Sequence, residues 1–159
     1  MRDVALRPEA LALATLSRVD YTDSFLLEAP HAEESTGEEW ARAVLEDAAP
    51  ATRTMLRRGW RALGVRVGST GDERLVLGWQ VRRSSSDLAL LAASSWLGMQ
   101  AEVLFKPERG ALRFATFLKL SNPLARAGWW AFSPQHRKVV RHLLRDAGGR
   151  RRAACSPAA

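Results

Sequence analysis

Residues 88–120, LALLAASSWLGMQAEVLFKPERGALRFATFLKL, decide the fold. The first part, LALLAASSW at 88–96, is a near-continuous apolar run and reads as a buried strand. In residues 99–105 the pattern alternates, with Met99, Ala101, Val103 and Phe105 on one side and Gln100 and Glu102 on the other. KPERG at 106–110 is a turn. From 111 to 120 the alternation resumes, with Leu112, Phe114, Thr116, Leu118 and Leu120 on one face and Arg113 and Lys119 opposite. A period of two is the signature of a strand. Connections this short join antiparallel neighbours, because parallel pairing needs a crossover of a dozen or more residues.

Outward from this stretch, Leu75, Leu77, Trp79 and Val81 share a face over residues 75–83, and a further strand is expected around Val65 to Val67. DYTDSFLLE at 20–28 has Tyr21, Phe25 and Leu27 on one face, interrupted by Asp23. Between these lie two short helices. TGEE at 36–39 is a capping box that opens the first, with Trp40, Ala43 and Val44 as its apolar stripe. Pro50 ends that helix and opens the second, which carries Met55, Leu56, Trp60 and Leu63 and is capped by Gly64. Gly59 inside this helix predicts a close approach by another element.

The chain closes with a long helix. Asn122-Pro123 starts it, Ser133-Pro134 predicts a kink or restart, and Gly148-Gly149 predicts its end. Val139, Val140, Leu143 and Leu144 face inward, while Arg137, Lys138, Arg141 and Arg145 face solvent. The expected organisation is a weakly ordered lead-in or a short helix over residues 1–17, one domain over 18–148 and a disordered basic tail over 149–159. The fold class is α+β: a strand, two short helices, an antiparallel run of strands and one long helix.

The 159 residues are 47% hydrophobic and 26% charged, which excludes collagen-like and wholly disordered classes. No apolar run reaches the roughly 18 to 20 residues of a membrane-spanning helix, so stable membrane insertion is not expected. Residues 1–80 hold 10 basic and 13 acidic side chains, and residues 81–159 hold 14 and 4. The basic half suits an anionic partner, but exposed aromatics do not interleave with its arginines and no reader motif is present, so nucleic acid is not an expected partner. Cys155 is the one cysteine, and the start Met1-Arg2-Asp3 does not look like a secretory signal, so a cytoplasmic location is the expectation.

Most familiar chemistry is excluded. His136 and His142, six apart on one helix, point about 120° away from each other and cannot share a metal, and His31 lies in a loop. The acidic pairs at 33–34, 38–39 and 46–47 belong to a loop and an exposed helix face, so they do not form an acid/base dyad. No glycine-rich nucleotide loop or nucleophile elbow occurs, and no cofactor is expected. Cys155 lies in the tail and is a poor nucleophile.

EEWARAVLED at 38–47, LGW at 77–79 and NPLARAGWWAFSPQHRKVVRHLL at 122–144 resemble a bacterial family of unknown function within the START/SRPBCC superfamily, the helix-grip proteins that include the birch-pollen-allergen type and the polyketide cyclase/aromatases. The resemblance covers roughly residues 18–147. It implies a curved antiparallel sheet wrapped around the C-terminal helix, with a small hydrophobic molecule (lipid, sterol or polyketide-like) held between them. The implied lining is Trp79, Leu90, Trp96, Met99, Val103, Phe114, Leu118, Trp129, Phe132 and Val140. These residues also suit a filled core.

No catalytic constellation is visible, and His136 is the single weak candidate, as a ligand contact, a base or a group that packs the kink. Arg137 is expected to pair with an acidic strand residue such as Asp23 or Glu102, and Asp87, Ser94 and Ser95 to orient a ligand or satisfy strand ends. The rival functions are a cyclase/aromatase- or dehydratase-like enzyme using a pocket histidine, and an interaction module for an NAD(P)-dependent oxidoreductase. Partner expectations therefore also include a homodimer or an oxidoreductase.

Overall fold

The computed structural model describes residues 1–68 and 72–155. In chain order the elements are β1 (Arg2–Asp3), α1 (Pro8–Leu11), β2 (Tyr21–Glu28), a 3-10 turn (Ala32–Glu34), α2 (Gly37–Leu45), α3 (Pro50–Ala62), β3 (Val65–Arg66), β4 (Leu75–Val76), β5 (Trp79–Ser84), β6 (Ala89–Ser95), β7 (Met99–Glu108), β8 (Ala111–Leu120) and α4 (Pro123–Cys155). The strands form one eight-stranded, wholly antiparallel sheet in the order β1-β2-β8-β7-β6-β5-β4, with β3 also paired to β6. The class is α+β, with α2, α3 and the long α4 packed on one face of the sheet.

Local sequence accounts for most of these elements. The Thr36 hydroxyl accepts the Glu39 amide at 3.2 Å and the Glu39 carboxylate accepts the Thr36 amide at 2.7 Å, which completes the capping box of α2. Asn122 caps α4 by accepting the Ala125 amide at 2.7 Å. Gly64 ends α3 in the left-handed region, at φ 68°. Strands β7 and β8 run to the very edge of their hairpin, so that KPE of the expected turn is strand and Arg109-Gly110 alone reverses the chain, with Gly110 at φ 71°.

Residues 1–17 contain the short helix α1 and pack on the sheet. β1 pairs with β2, and the segment after it crosses the sheet face opposite α4. There Leu6, Ala10, Leu13, Ala14 and Leu16 pack on Leu88, Leu90, Leu104, Ala115 and Phe117. The Glu102 carboxylate, buried on this face, accepts the Thr15 amide at 2.8 Å and also bonds the Thr15 hydroxyl. The central strands are apolar on both faces, so the second face needs a cover as the first does.

The C-terminal helix also departs from expectation. It passes through Pro134 without a restart. Proline deprives the Trp130 carbonyl of its helical donor, and the Ser133 hydroxyl donates to that carbonyl at 3.4 Å. It also continues through Gly148-Gly149 to Cys155, in place of the expected disordered tail, of which only 156–159 lie outside the described residues. A Cβ at Gly148 would lie 3.1 Å from Leu27, so glycine lets α4 press against β2. Beyond it, Arg150 donates to Ala43 O and Arg152 to Glu28 O, both at 2.7 Å. Arg151 donates to Glu39 O at 3.2 Å and its guanidinium lies 4.1 Å from the centre of the Trp40 ring. These anchors outweigh the roughly 1 kcal/mol that each helical glycine costs.

Two glycines behave oppositely. A Cβ at Gly37 would stand 2.2 Å from the Ala89 amide nitrogen, which fixes how closely α2 approaches β6. A Cβ at Gly59 would meet nothing within 4 Å, contrary to the close approach expected there. Gly37→Ala should therefore destabilise the protein by about 1–3 kcal/mol, the scale of overpacking. Gly59→Ala should stabilise it by about 0.5–1 kcal/mol through helix propensity. Urea unfolding of both variants checks the opposite signs.

Candidate functional site

The inward faces of β7 and β8 do not meet α4 along its whole length. Between them, closed on one side by α3, lies a cavity of about 450 Å³. Met99, Ala101, Val103 and Phe105 of β7 and Phe114, Thr116 and Leu118 of β8 form its floor. Trp129, Phe132, His136, Val139, Val140 and Leu143 of α4 form its roof. Trp79 of β5, Val65 of β3, Val44 and Leu45 of α2 and the Met55–Leu63 part of α3 close the remaining side. Lining residues that stay exposed are Met55, Arg58 and Ala62 on α3 and Gln135 on α4, which places the opening between these two helices. Gly59 borders this opening, and its missing side chain leaves the space free.

Eight of the ten residues expected to line a ligand site do line the cavity: Trp79, Met99, Val103, Phe114, Leu118, Trp129, Phe132 and Val140. Leu90 does not. It pairs with Leu104 and points to the opposite face, where it packs under the N-terminal segment; its neighbour Leu91 takes the inward position. A continuous apolar run carries no phase, so the sequence alone does not choose between the two leucines. Trp96 does not line the cavity either. It lies beyond the end of β6, 70% exposed in the β6–β7 turn.

The polar side of the cavity is built around His136. Its Nε2 lies 3.3 Å from Asp23 Oδ2 and 3.2 Å from Thr116 Oγ1. The Tyr21 hydroxyl donates to the same Asp23 oxygen at 2.9 Å. The Asp23 side chain is 3% exposed, and its other oxygen, Oδ1, has no hydrogen-bond partner. A carboxylate against Nε2 favours a proton there, and in the neutral form of the ring that leaves the lone pair on Nδ1. His136 therefore does more than pack α4, and it bonds strand side chains. The indole ring of Trp129 lies 5.0 Å from the imidazole, between it and Phe132. The indole nitrogens of Trp129 and Trp79 are both buried without an acceptor.

The other polar residues that the sequence singles out do not line the cavity. Arg137 pairs with Asp3 of β1, which also binds Arg141, because Asp23 is taken by His136 and Glu102 faces away. Asp87 and Ser94 are exposed, away from the cavity. Ser95 is buried, where its hydroxyl donates to Leu63 O at 2.6 Å and accepts the Leu97 amide at 3.0 Å, so it serves a strand end. His31 pairs with Glu34 on the surface, and no group of three or more metal-ligating side chains occurs among the described residues. No described helix is long and apolar enough to cross a membrane.

Sequence reasoning omits Tyr21 and the α3 wall, and it places Asp23 and Thr116 without assigning them to the site. The available signal was polarity at inward positions: Asp23 between Tyr21 and Phe25, and Thr116 between Phe114 and Leu118. No protein-family model, curated protein or solved structure matches the chain.

Burial, and after it the Asp23 carboxylate, push the Tyr21 phenol well above the ordinary tyrosine range. The folded-state pKa is raised, so the stabilisation is complete below about pH 10 and is lost as the pH rises beyond that value. Tyr21 is the one tyrosine of the chain, so a near-ultraviolet titration reads it directly. Asp23→Asn removes the negative neighbour and should move the phenol midpoint downward, and the wild-type protein should lose stability in alkali as Tyr21 ionises.

Proposed function

We propose that the chain binds a small hydrophobic molecule in the cavity between its sheet and C-terminal helix. The observation that carries the reading is the apolar cavity of about 450 Å³, open between α3 and α4 and within the range of ordinary ligand sites, roughly 300 to 1,000 Å³. Large rigid aromatics, Trp60, Trp79, Trp129 and Phe132, stand around it and give a ligand extensive apolar contact. The arrangement of antiparallel sheet and long helix agrees with a helix-grip fold, and the likeness to START/SRPBCC proteins puts lipids, sterols and polyketide-like molecules first among ligands. A molecule of this kind enters between α3 and α4, past Met55 and Gln135.

A second reading is favoured by one observation. Asp23 holds the His136 imidazole in the tautomer that leaves Nδ1 basic, the arrangement a general base needs. In that reading the protein is a cyclase- or dehydratase-like enzyme, and His136→Ala abolishes turnover while sparing binding.

Binding is tested by thermal unfolding with fatty acids, sterols and aromatic polyketides. A ligand at 100 times its Kd should add about 2.7 kcal/mol of stability. Gly59→Phe, which places a ring in the opening, should fold normally and lose that stabilisation. A panel in which no compound shifts the transition of the wild-type protein refutes the binding reading.

A further inference from the structure

The polar corner of the cavity holds Trp129 and His136, whose ring centres lie 5.0 Å apart. Trp129, 3% exposed, contributes a buried indole N–H with no acceptor. The Nε2 atom of His136 is committed to Asp23 and Thr116. His136 Nδ1 makes no hydrogen bond among the described residues, and in the neutral ring with its proton on Nε2 it is an acceptor. A buried donor without a partner is costly, so its presence in a lining residue calls for an occupant that satisfies it.

From this the geometry points to a hydroxyl group on the ligand, bound between Trp129 and His136. The proposal rests on the hydrophobic-ligand reading and specifies which part of the ligand lies where. A hydroxyl is the smallest group that answers both needs, because its oxygen accepts the Trp129 N–H while its proton goes to His136 Nδ1. A carboxylate has no proton for Nδ1, and an ether or ketone leaves Nδ1 unserved. Asp23 acts as the positioning residue: it fixes the His136 tautomer and is itself steadied by the Tyr21 hydroxyl. The apolar body of the ligand then lies along Val103, Phe114 and Leu118 towards α3.

Three probes of one shape separate the possibilities: 2-naphthol, which donates and accepts; 2-methoxynaphthalene, which only accepts; and naphthalene, which does neither. Titrated against the full chain by tryptophan fluorescence and calorimetry, 2-naphthol should bind about tenfold or more tighter than naphthalene, with the methoxy compound between them, since each hydrogen bond contributes about 0.5–1.5 kcal/mol net. Trp129→Phe should weaken 2-naphthol and 2-methoxynaphthalene alike, and His136→Leu should weaken 2-naphthol alone. Asp23→Asn should lower 2-naphthol affinity and leave naphthalene binding unaffected. Equal affinities for the three probes would overturn the hydroxyl site while leaving apolar binding intact. Binding of none would overturn both. The probe comparison in the unaltered protein stands even if a variant fails to fold.

Discussion

Asn122 uses both ends of its side-chain amide: its oxygen caps α4, and its nitrogen donates at 3.0 Å to Leu97 O in the β6–β7 turn. Gly98 in that turn takes φ 88°, and a Cβ there would stand 2.3 Å from the Asn122 nitrogen. At the other end, Gly148 lies against Leu27 and Arg150, Arg151 and Arg152 bind backbone carbonyls of α2 and β2. The helix is thus tied down at its two termini by hydrogen bonds and close packing. Between these ties the helix holds the sheet through His136, Arg137 and Arg141, and it stands off β7 and β8, where the cavity lies.

This arrangement explains why the interior is both apolar and polar. Most inward positions of β2, β7 and β8 are hydrophobic because α2 and α4 bury them. Asp23 of β2 and Thr116 of β8 are exceptions, and both meet His136. Taking a carboxylate out of water costs several kcal/mol, which the contacts of Asp23 with Tyr21 and His136 offset.

Much of this was legible before any coordinates. Alternation in 99–105 and 111–120 identified the central hairpin, and Thr36-Glu39 and Asn122-Pro123 marked the starts of α2 and α4. Local chemistry fixes such features, so local sequence reveals them. Other features depend on long-range contact. Whether Leu90 or Leu91 turns inward is decided by pairing with β7, and the run LALLAASSW is apolar on both sides of the strand. The same property announces a second cover, yet nothing in residues 1–17 identifies them as that cover until they lie on Phe117. Gly148-Gly149 reads as a helix stop by propensity, and packing against Leu27 reverses it. Asp23 was visible as an interruption, but its partner stands 113 positions along the chain, on another element.

At each outer margin, the sheet tapers into a strand of two residues, β1 on one side and β4 on the other. The carbonyl of Leu75 in β4 and that of Glu73 just before it are both occupied by the Arg42 guanidinium. The Asp3 side chain of β1 is held by two arginines of α4. Little backbone is left there for a foreign strand to zip onto. Strand addition is thereby blunted at both margins of the sheet.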